Sequence, residues 1–226
     1  AAKPLSLQTH PTDEQAQLGY QQENEIGIPL DSPLRIYKDI SAKPELLIAM
    51  SPFEAICGFR SDEENIELCK RFGWHALGQH LADDGLAECV RWALTTSPHS
   101  LPEHMPAWAG RLANMYPGNG GILVALLMHH VKLQPGQALY LGAGNVHAYL
   151  GGTGLEVMAS SDNVVRAAFT QKKVDIDEFL HVARMTPITT PIVDAVQQEP
   201  GIWNYPVETQ RFAAQRIDVT ANHNVR

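Results

Sequence analysis

Two stretches within the first fifty residues have the residue pattern of β-strands. Residues 4–10 (PLSLQTH) alternate, so that Ser6, Gln8 and His10 share one face. Residues 44–50 (PELLIAM) form a second short apolar run. The stretch between them is polar and contains IGIPLDSP, which is typical of a connection. The chain is therefore predicted to begin with strands of a sheet.

The period changes to that of a helix after residue 60. Ser61 and Glu64 have the spacing of a capping box, and apolar residues then recur at helical intervals. Residues 83–96 (DDGLAECVRWALTT) and 106–116 (PAWAGRLANMY) predict further helices. Residues 61–117 are thus predicted to form a helical insert.

The strand pattern returns in HHVKLQPGQALYLGAGNVHAYLGGTGLEVMAS. Its QPGQ segment has the proline and glycine of a type II turn, and GGTG at 151–154 predicts another turn. Short strands joined by tight turns indicate a mainly β fold, a barrel or jelly roll, which the helical segment interrupts.

Composition narrows the class of protein. The 226 residues are 44% hydrophobic and 19% charged, which is typical of a globular protein. The net charge is −8 and basic runs are absent, so nucleic acid and anionic membranes are poor partners. The longest apolar run, GILVALLM, is too short to span a bilayer. Three cysteines without metal-ligand spacing indicate reduced thiols and a cytoplasmic location.

Several polar residues fall on strand faces that are otherwise apolar. Glu45 shares a face with Leu47 and Ala49, and Lys43 precedes it on the same side. The segment GNVHAYL likewise places Asn145, His147 and Tyr149 together, and LEVMAS does so for Glu156, Met158 and Ser160. Each has an ordinary explanation: a solvent-facing strand, a surface ion pair, or a hydrogen-bonded core histidine.

Taken together, these residues supply two imidazoles, one or two carboxylates and an amide oxygen from separate strands. Such a mixed nitrogen and oxygen set suits Zn²⁺ or a similar divalent ion with one position open. The segment SSDNVVRAAFTQKK adds Arg166, whose planar guanidinium matches phosphate or carboxylate. The ordinary alternative is a surface arginine, and the two lysines that follow are interpreted as solvated.

An ordered set of motifs resembles a known family. PLSLQTHP, YKDISAKPE and VKLQPGQALYLGAGNVHAYLGGTGLEVMASSDNVVRA are similar to those of the type I mannose-6-phosphate isomerases, zinc-dependent members of the cupin superfamily. The resemblance runs from residue 4 to about residue 180. It implies that zinc is held by Gln8, His10, Glu45 and His147. It also implies that Ser6, Lys43, Tyr149, Glu156, Asp162 and Arg166 surround the substrate.

The same resemblance implies a cupin jelly-roll barrel with an inserted α-helical domain. Residues 1–60 and 118–188 would form the barrel and 61–117 the insert. Residues 189–226 would be a linker and the start of a second, truncated cupin unit. Both ends of the chain are interpreted as cut, so a fragment of a longer protein is expected.

The implied activity is the interconversion of mannose 6-phosphate and fructose 6-phosphate through a zinc-stabilised enediolate. Arg166 would hold the phosphate or stabilise charge, and Lys43 and Glu156 are alternative bases; Lys43 would need a lowered pKa. Ser6, Tyr149 and Asp162 would bind substrate. The expected partner is a small sugar phosphate, and the expected state is a cytoplasmic monomer. Alternatives are another metal-dependent cupin enzyme, such as an Fe²⁺ oxygenase, and a non-catalytic sugar-binding cupin.

The sequence departs from the family after Arg166. The family commonly has glycine and proline in this loop, where the chain has Ala168 and Gln171. If the glycine serves a positive φ angle or a close approach of the backbone, Ala168 is expected to strain the loop that carries Arg166.

Overall fold

The computed structural model describes residues 1–95, 101–102, 104–189 and 191–219, which form antiparallel sheets with helices on one side. The strands are β1 (Leu7–Thr9), β2 (Glu45–Ala49), β3 (Phe53–Phe59), β4 (Met128–Leu133), β5 (Ala138–Leu141), β6 (His147–Gly151), β7 (Gly154–Met158), β8 (Val165–Ala168), β9 (Ile192–Val193), β10 (Val196–Glu199), β11 (Ile202–Tyr205) and β12 (Ala214–Ile217). The helices are α1 (Asp13–Glu25), α2 (Asp62–Phe72), α3 (His75–Thr95), α4 (Ala107–Met115), α5 (Gly121–Leu126) and α6 (Ile176–Val182).

Two of the sheets face each other as the walls of a barrel. One has the strand order β4-β3-β6-β1-β8 and the other β7-β2-β5-β9. A buried apolar cluster with members from both sheets fills the space between them; it comprises Leu47, Ala49, Phe53, Ala55, Cys57, Val131, Leu133, Leu139, Leu141 and Tyr149. Because alternate residues of a strand share a face, Glu45 on β2 and His147 on β6 point toward this same interior. The mainly β fold is as predicted.

The helices cover the outer face of the first sheet. Leu7, Ile56, Ala148 and Val165, from four of its strands, pack in one cluster with buried residues of α2 to α6. The face opposite to the barrel interior is therefore also apolar, which explains why these strands are buried on both sides. The third sheet, β10-β11-β12, packs through Tyr205 against Leu46, Ile48 and Ala138 on the outside of the second sheet.

The predicted turn at QPGQ is confirmed. Gly136 has φ of +91°, and the amide of Gln137 donates to the carbonyl of Gln134 at 3.0 Å, as in a type II turn. Predicted helices are also present, although the helix expected over 83–96 is the second half of α3. Gly85, with φ of +77°, interrupts the helical backbone inside α3.

Interpreting the stretch after residue 10 as a polar connection was wrong, because it contains helix α1. Thr12 and Gln15 form a capping box like that of Ser61 and Glu64, and this signature was present in the sequence. Its polar composition concealed the helix, since the buried residues of α1 are only Ala16, Gly19 and Glu23. Helix propensity and capping, rather than an apolar stripe, mark this element.

Two expectations from composition can be compared with the structure. The cysteines at 57, 69 and 89 all lie in the described part of the chain, where each is free and buried. Throughout the described residues, the helices fall short of the length and apolar character needed to cross a bilayer. The division of the chain into barrel, insert and second unit stays a prediction, and residues 96–100 and 103 of the insert and 190 and 220–226 of the last segment lie outside the described part.

Candidate functional site

His10, Glu45 and His147 meet at one end of the barrel interior. One ligand atom from each lies within 4.8 Å of the others. Nε2 of His10 is 3.2 Å from Oε1 of Glu45, and Nε2 of His147 is 3.6 Å from Oε2. All three residues are at most 2% exposed. The alternation of three strand segments far apart in sequence thus converges on one buried group.

Main-chain carbonyls orient both imidazoles toward this group. Nδ1 of His10 lies 2.7 Å from the carbonyl oxygen of Asn163, and Nδ1 of His147 lies 3.0 Å from that of Asn145. Because a carbonyl only accepts, Nδ1 must carry the proton in each ring, so the lone pair is on Nε2. Both free Nε2 atoms therefore point at the shared centre, as metal-ligating histidines do.

Gln8 is the fourth of the metal ligands expected from the sequence. It is the cross-strand partner of His147, and its Nε2 lies 3.4 Å from Nε2 of that ring. Its Oε1 accepts a hydrogen bond from the Ser6 hydroxyl at 2.7 Å. Since amide oxygen and nitrogen are assigned from their surroundings, a half-turn of the amide would direct the oxygen to the centre. Ser6 could then accept from the amide nitrogen, because a hydroxyl serves both roles.

The residues present fit a divalent metal. Nε2 of His10 and Oε2 of Glu45 are buried and make no well-formed hydrogen bond with any described residue. Buried polar atoms without partners are costly, and two that converge on one point fit the donor atoms of a metal site. Two imidazole nitrogens, a carboxylate and an amide oxygen form a borderline donor set that suits Zn²⁺.

Electrostatics in this group favour a charged Glu45 and a neutral His147. Burial alone would raise the pKa of Glu45, but the close contact with His10, together with His147 and Lys43, lowers it to about 2. Burial lowers the pKa of His147 to about 4 despite the nearby Glu45 carboxylate. Both groups are thus in the forms that bind metal at neutral pH.

The metal-free protein is expected to lose stability on mild acidification. The pKa of folded His147 is about 4, below its ordinary value of 6.5, so the unfolded chain takes up this proton first as pH falls. The part of the free energy of unfolding that depends on neutral His147 is therefore lost between about pH 6.5 and pH 4. The part that depends on charged Glu45 is lost only from pH 4.5 down to about 2. Urea unfolding of metal-free protein at pH 5 should give a free energy about 2 kcal/mol lower than at pH 7.

The control for this prediction is His147→Asn, which removes the titrating ring. The variant should lose most of the difference between pH 7 and pH 5. An unchanged difference would show that other groups cause it.

A hydrogen-bonded pair, Tyr149 and Glu156, lies beside the His10–Glu45–His147 group. The Tyr149 hydroxyl donates to Oε1 of Glu156 at 2.7 Å. Burial, and then the charge of Glu45, raises the pKa of Glu156, and burial raises that of Tyr149 well above its ordinary value. Nζ of Lys43 lies 3.1 Å from Oε1 of Glu45. Lys43 and Glu156, the alternative bases, are thus each tied electrostatically to Glu45.

A pocket of about 960 Å³ opens beside Lys43 and is rich in basic side chains. Lys43, Asp162 and Arg166 line it, together with Lys172 and Lys173 from the following loop. Arg166 is half-buried and makes no hydrogen bond or ion pair within the described part of the chain, and burial lowers its pKa. The pocket thus presents an uncompensated guanidinium in a protein whose net charge is −8. Ser6, Tyr149 and Glu156 are not among its lining residues.

Asn163 is a residue of the site that the sequence analysis missed. It is fully buried, its carbonyl accepts from His10, and its side-chain oxygen accepts from the amides of Lys38 and Asp39. Its amide group donates to the carbonyls of Asp39 and Ser41. Through its main chain and its side chain, this one residue therefore connects His10 to the segment that leads to Lys43. A signal was its place in SSDNVV, three residues before Arg166 in the sequence.

The expectation of strain at Ala168 was wrong in its position. Ala168 lies in β8, and the residue with positive φ is the next one, Phe169, at 56°. The methyl group of Ala168 is accommodated by Gly121 of α5: a Cβ atom added there would lie 2.1 Å from the Ala168 Cβ. A glycine opposite the alanine therefore leaves the space that the larger residue needs.

The barrel and its buried donor group define a cupin with a candidate metal site. Comparisons with known proteins agree. The family described as phosphomannose isomerase type I, catalytic domain, matches residues 1–62. The mannose-6-phosphate isomerase of Escherichia coli K12 is 34% identical over 241 residues, covering 97% of this chain and 61% of that protein. The macaque enzyme is 28% identical and covers 96% of the chain.

Solved structures give the same result. Mannose 6-phosphate isomerase from Salmonella typhimurium, bound to fructose 6-phosphate and zinc, matches with a TM-score of 0.86 and 32% identity. The match covers 95% of this chain and 60% of that one. The resemblance found in the sequence is confirmed: over nearly its whole length the chain is similar to type I phosphomannose isomerases. It spans about three fifths of the length of these relatives.

Proposed function

We propose that the chain is the catalytic part of an enzyme that interconverts mannose 6-phosphate and fructose 6-phosphate. The observation that carries the proposal is the buried His10–Glu45–His147 group, with two unpaired ligand atoms, beside a pocket lined by Lys43 and Arg166. The reaction needs Lewis acidity and an anion site side by side, and the two features supply this combination. The relative with fructose 6-phosphate and zinc supports the assignment.

The proposed ligands of the metal are Gln8, His10, Glu45 and His147. Bound there, zinc would supply Lewis acidity that stabilises negative charge developing on the sugar oxygens. Asn163 and Asn145 hold the two rings by their Nδ1 protons, so the nitrogens are presented without rearrangement. Glu45 stays charged despite its burial because the neighbouring His10, His147 and Lys43 lower its pKa.

The isomerisation moves a proton from the carbon next to the carbonyl to the neighbouring carbon, with an enediolate in between. Lys43 and Glu156 are the proposed groups for this transfer, and the choice between them stays open. A raised pKa suits Glu156 to accept a proton near neutral pH, and its hydrogen bond with Tyr149 fixes its orientation. Lys43 lies at the boundary of the metal group and the pocket, so it is placed to meet the reacting end.

Arg166 is the proposed partner of the substrate phosphate. Its guanidinium is partly desolvated and unpaired among the described residues, which strengthens a bidentate bond to an anion. Lys172 and Lys173 line the same pocket and would add positive charge. Ser6, Tyr149 and Asp162 are proposed to bind the sugar; of these, Asp162 lines the pocket, and Ser6 and Tyr149 contact Gln8 and Glu156.

The remaining proposals concern the wider setting of the protein. We propose a cytoplasmic monomer that binds a small sugar phosphate and no nucleic acid. Three reduced, buried cysteines support an intracellular compartment, and the net charge of −8 disfavours a polyanionic partner. The division into a barrel (1–60 and 118–188), a helical insert (61–117) and a second unit (189–226) is also retained as a proposal. Helices α2, α3 and α4 within 61–117 support it.

Chelation tests the proposed function. Purified protein should convert mannose 6-phosphate to fructose 6-phosphate in a coupled assay, and removal of metal should lower the rate by roughly 10³-fold. Adding back zinc should restore the rate, whereas Mg²⁺ should not, because imidazole nitrogens suit zinc. Stoichiometric zinc without turnover would instead favour a sugar-binding cupin.

A further inference from the structure

Phe169 has an unusual backbone conformation directly after strand β8. Among the described residues it is the non-glycine residue with positive φ, at 56°. Bulky side chains disfavour this region, so the surrounding structure must hold it there. It lies three positions after Arg166, the proposed phosphate ligand.

The strand that carries Arg166 also departs from regular pairing. Thr9 pairs with Val165 and Gln8 with Arg166, but Leu7 pairs with Ala168, so β8 contains one extra residue. As a result Ala167, Ala168 and Phe169, three consecutive residues, all pack in the cluster on the helix side of the sheet. In a regular strand, these three side chains would point to alternate faces of the sheet.

The helices hold this segment from outside the barrel. The Phe169 ring is 3% exposed and lies 5.2 Å from the Tyr116 ring. The Tyr116 hydroxyl donates to the carbonyl of Pro4 at 3.2 Å, which fixes that ring against the start of the chain. A Cβ atom at Gly121 would be only 3.4 Å from the Phe169 ring. The ring thus occupies a closely fitted position.

The left-handed turn brings the chain back to the pocket. After Phe169 the Lys172 amide donates to the Thr170 hydroxyl at 3.0 Å, a local turn. Gln171, Lys172 and Lys173 then line the same pocket as Arg166. Without the reversal of the chain at residue 169, the residues after β8 would continue away from Arg166.

We propose that Phe169 is a positioning residue: its buried ring holds the turn that places Lys172 and Lys173 opposite Arg166 around one anion. The inference rests on the proposed function for the identity of the anion, a sugar phosphate. It also applies to inorganic phosphate, which any such cation cluster would bind.

The test compares Phe169→Ala with Phe169→Leu, which keeps an apolar side chain in the same place. Phe169→Ala should bind inorganic phosphate about tenfold more weakly by calorimetry, with a matching rise in KM for mannose 6-phosphate and little change in kcat. Its zinc content should be unchanged. Hydrogen exchange should quicken at residues 170–174 in particular. Phe169→Leu should stay within about twofold of the parent.

Phe72→Ala is the matched control, because it removes a phenyl ring that stacks at 5.2 Å on Trp74, in a helix that does not lead to the pocket. It should leave phosphate affinity unchanged. If Phe169→Ala does not fold, Tyr116→Ala uncovers the same ring and should weaken phosphate binding in the same direction. Parental phosphate affinity in the Phe169 and Tyr116 variants, or equal weakening in Phe72→Ala, would overturn the inference.

The proposed function and this inference can fail separately. A parent protein that binds phosphate but shows no isomerase activity would refute the proposed function, while the phosphate affinities would still decide the role of Phe169. A parent that does not bind phosphate would overturn the inference even if sugar isomerisation were observed.

Discussion

Replacing His147 by alanine is expected to abolish stoichiometric zinc binding and to lower kcat/KM for mannose 6-phosphate by roughly 10³-fold or more. The ring supplies one of the converging Nε2 atoms, and it is held by the Asn145 carbonyl at the end of the barrel interior. Without it, the close partners of Glu45 among the residues that the structure describes are His10 and Lys43. Zinc content by atomic emission and the coupled assay measure the two effects.

His129→Ala is the control for this prediction. That imidazole lies on β4, where its Nε2 contacts the carbonyl of Ile188 at 2.9 Å, and it is not a member of the buried group. The control should keep its zinc and its rate. If His147→Ala retained one zinc per chain, the ion would have to be bound elsewhere and the assignment of the site would be wrong.

Replacing Arg166 by alanine is expected to lower kcat/KM by about 100-fold while leaving zinc content unchanged. The side chain is partly buried and unpaired among the described residues, so its loss removes a bidentate anion donor from the pocket without leaving a partner charge uncompensated. Arg166→Lys should recover part of the loss, since an ammonium keeps the charge but not the bidentate geometry. Steady-state kinetics with each sugar phosphate measure the effect.

Two comparisons make the Arg166 prediction specific. Arg211→Ala removes an arginine that pairs with Asp13 at the surface, and it should leave the kinetics unchanged. With mannose as substrate, which has no phosphate, parent and Arg166→Ala should have similar low rates. A loss of equal size on mannose would assign Arg166 to the reacting end of the sugar, the alternative role considered for it.

The residues of the candidate metal site could largely be proposed from local patterns. Alternation in PLSLQTH, PELLIAM and GNVHAYL placed Gln8, His10, Glu45 and His147 on strand faces, and the structure brings all four to one end of the barrel. Helix α1 could have been found from Thr12 and Gln15, because a capping box is a short-range signal. Its apolar periodicity was too weak to reveal it.

Other features depended on contacts that no local pattern encodes. Asn163 holds the His10 ring through its carbonyl and the segment before Lys43 through its side chain, and this requires residues far apart in sequence to meet. The expected strain at Ala168 was misplaced by one residue for the same reason. A bulge in β8, the space left by Gly121 and the Tyr116 ring together put positive φ at Phe169.

The amino-acid sequence alone determined which residues could bind a metal or an anion, because side-chain chemistry and the two-residue period of a strand are local properties. Tertiary structure decided the distances, the unpaired atoms and the electrostatics. Strand register sets Gln8 opposite both His147 and Arg166, and burial shifts the pKa values of Glu45 and His147. Those quantities arise from packing between distant segments, so they exist only once the chain is folded.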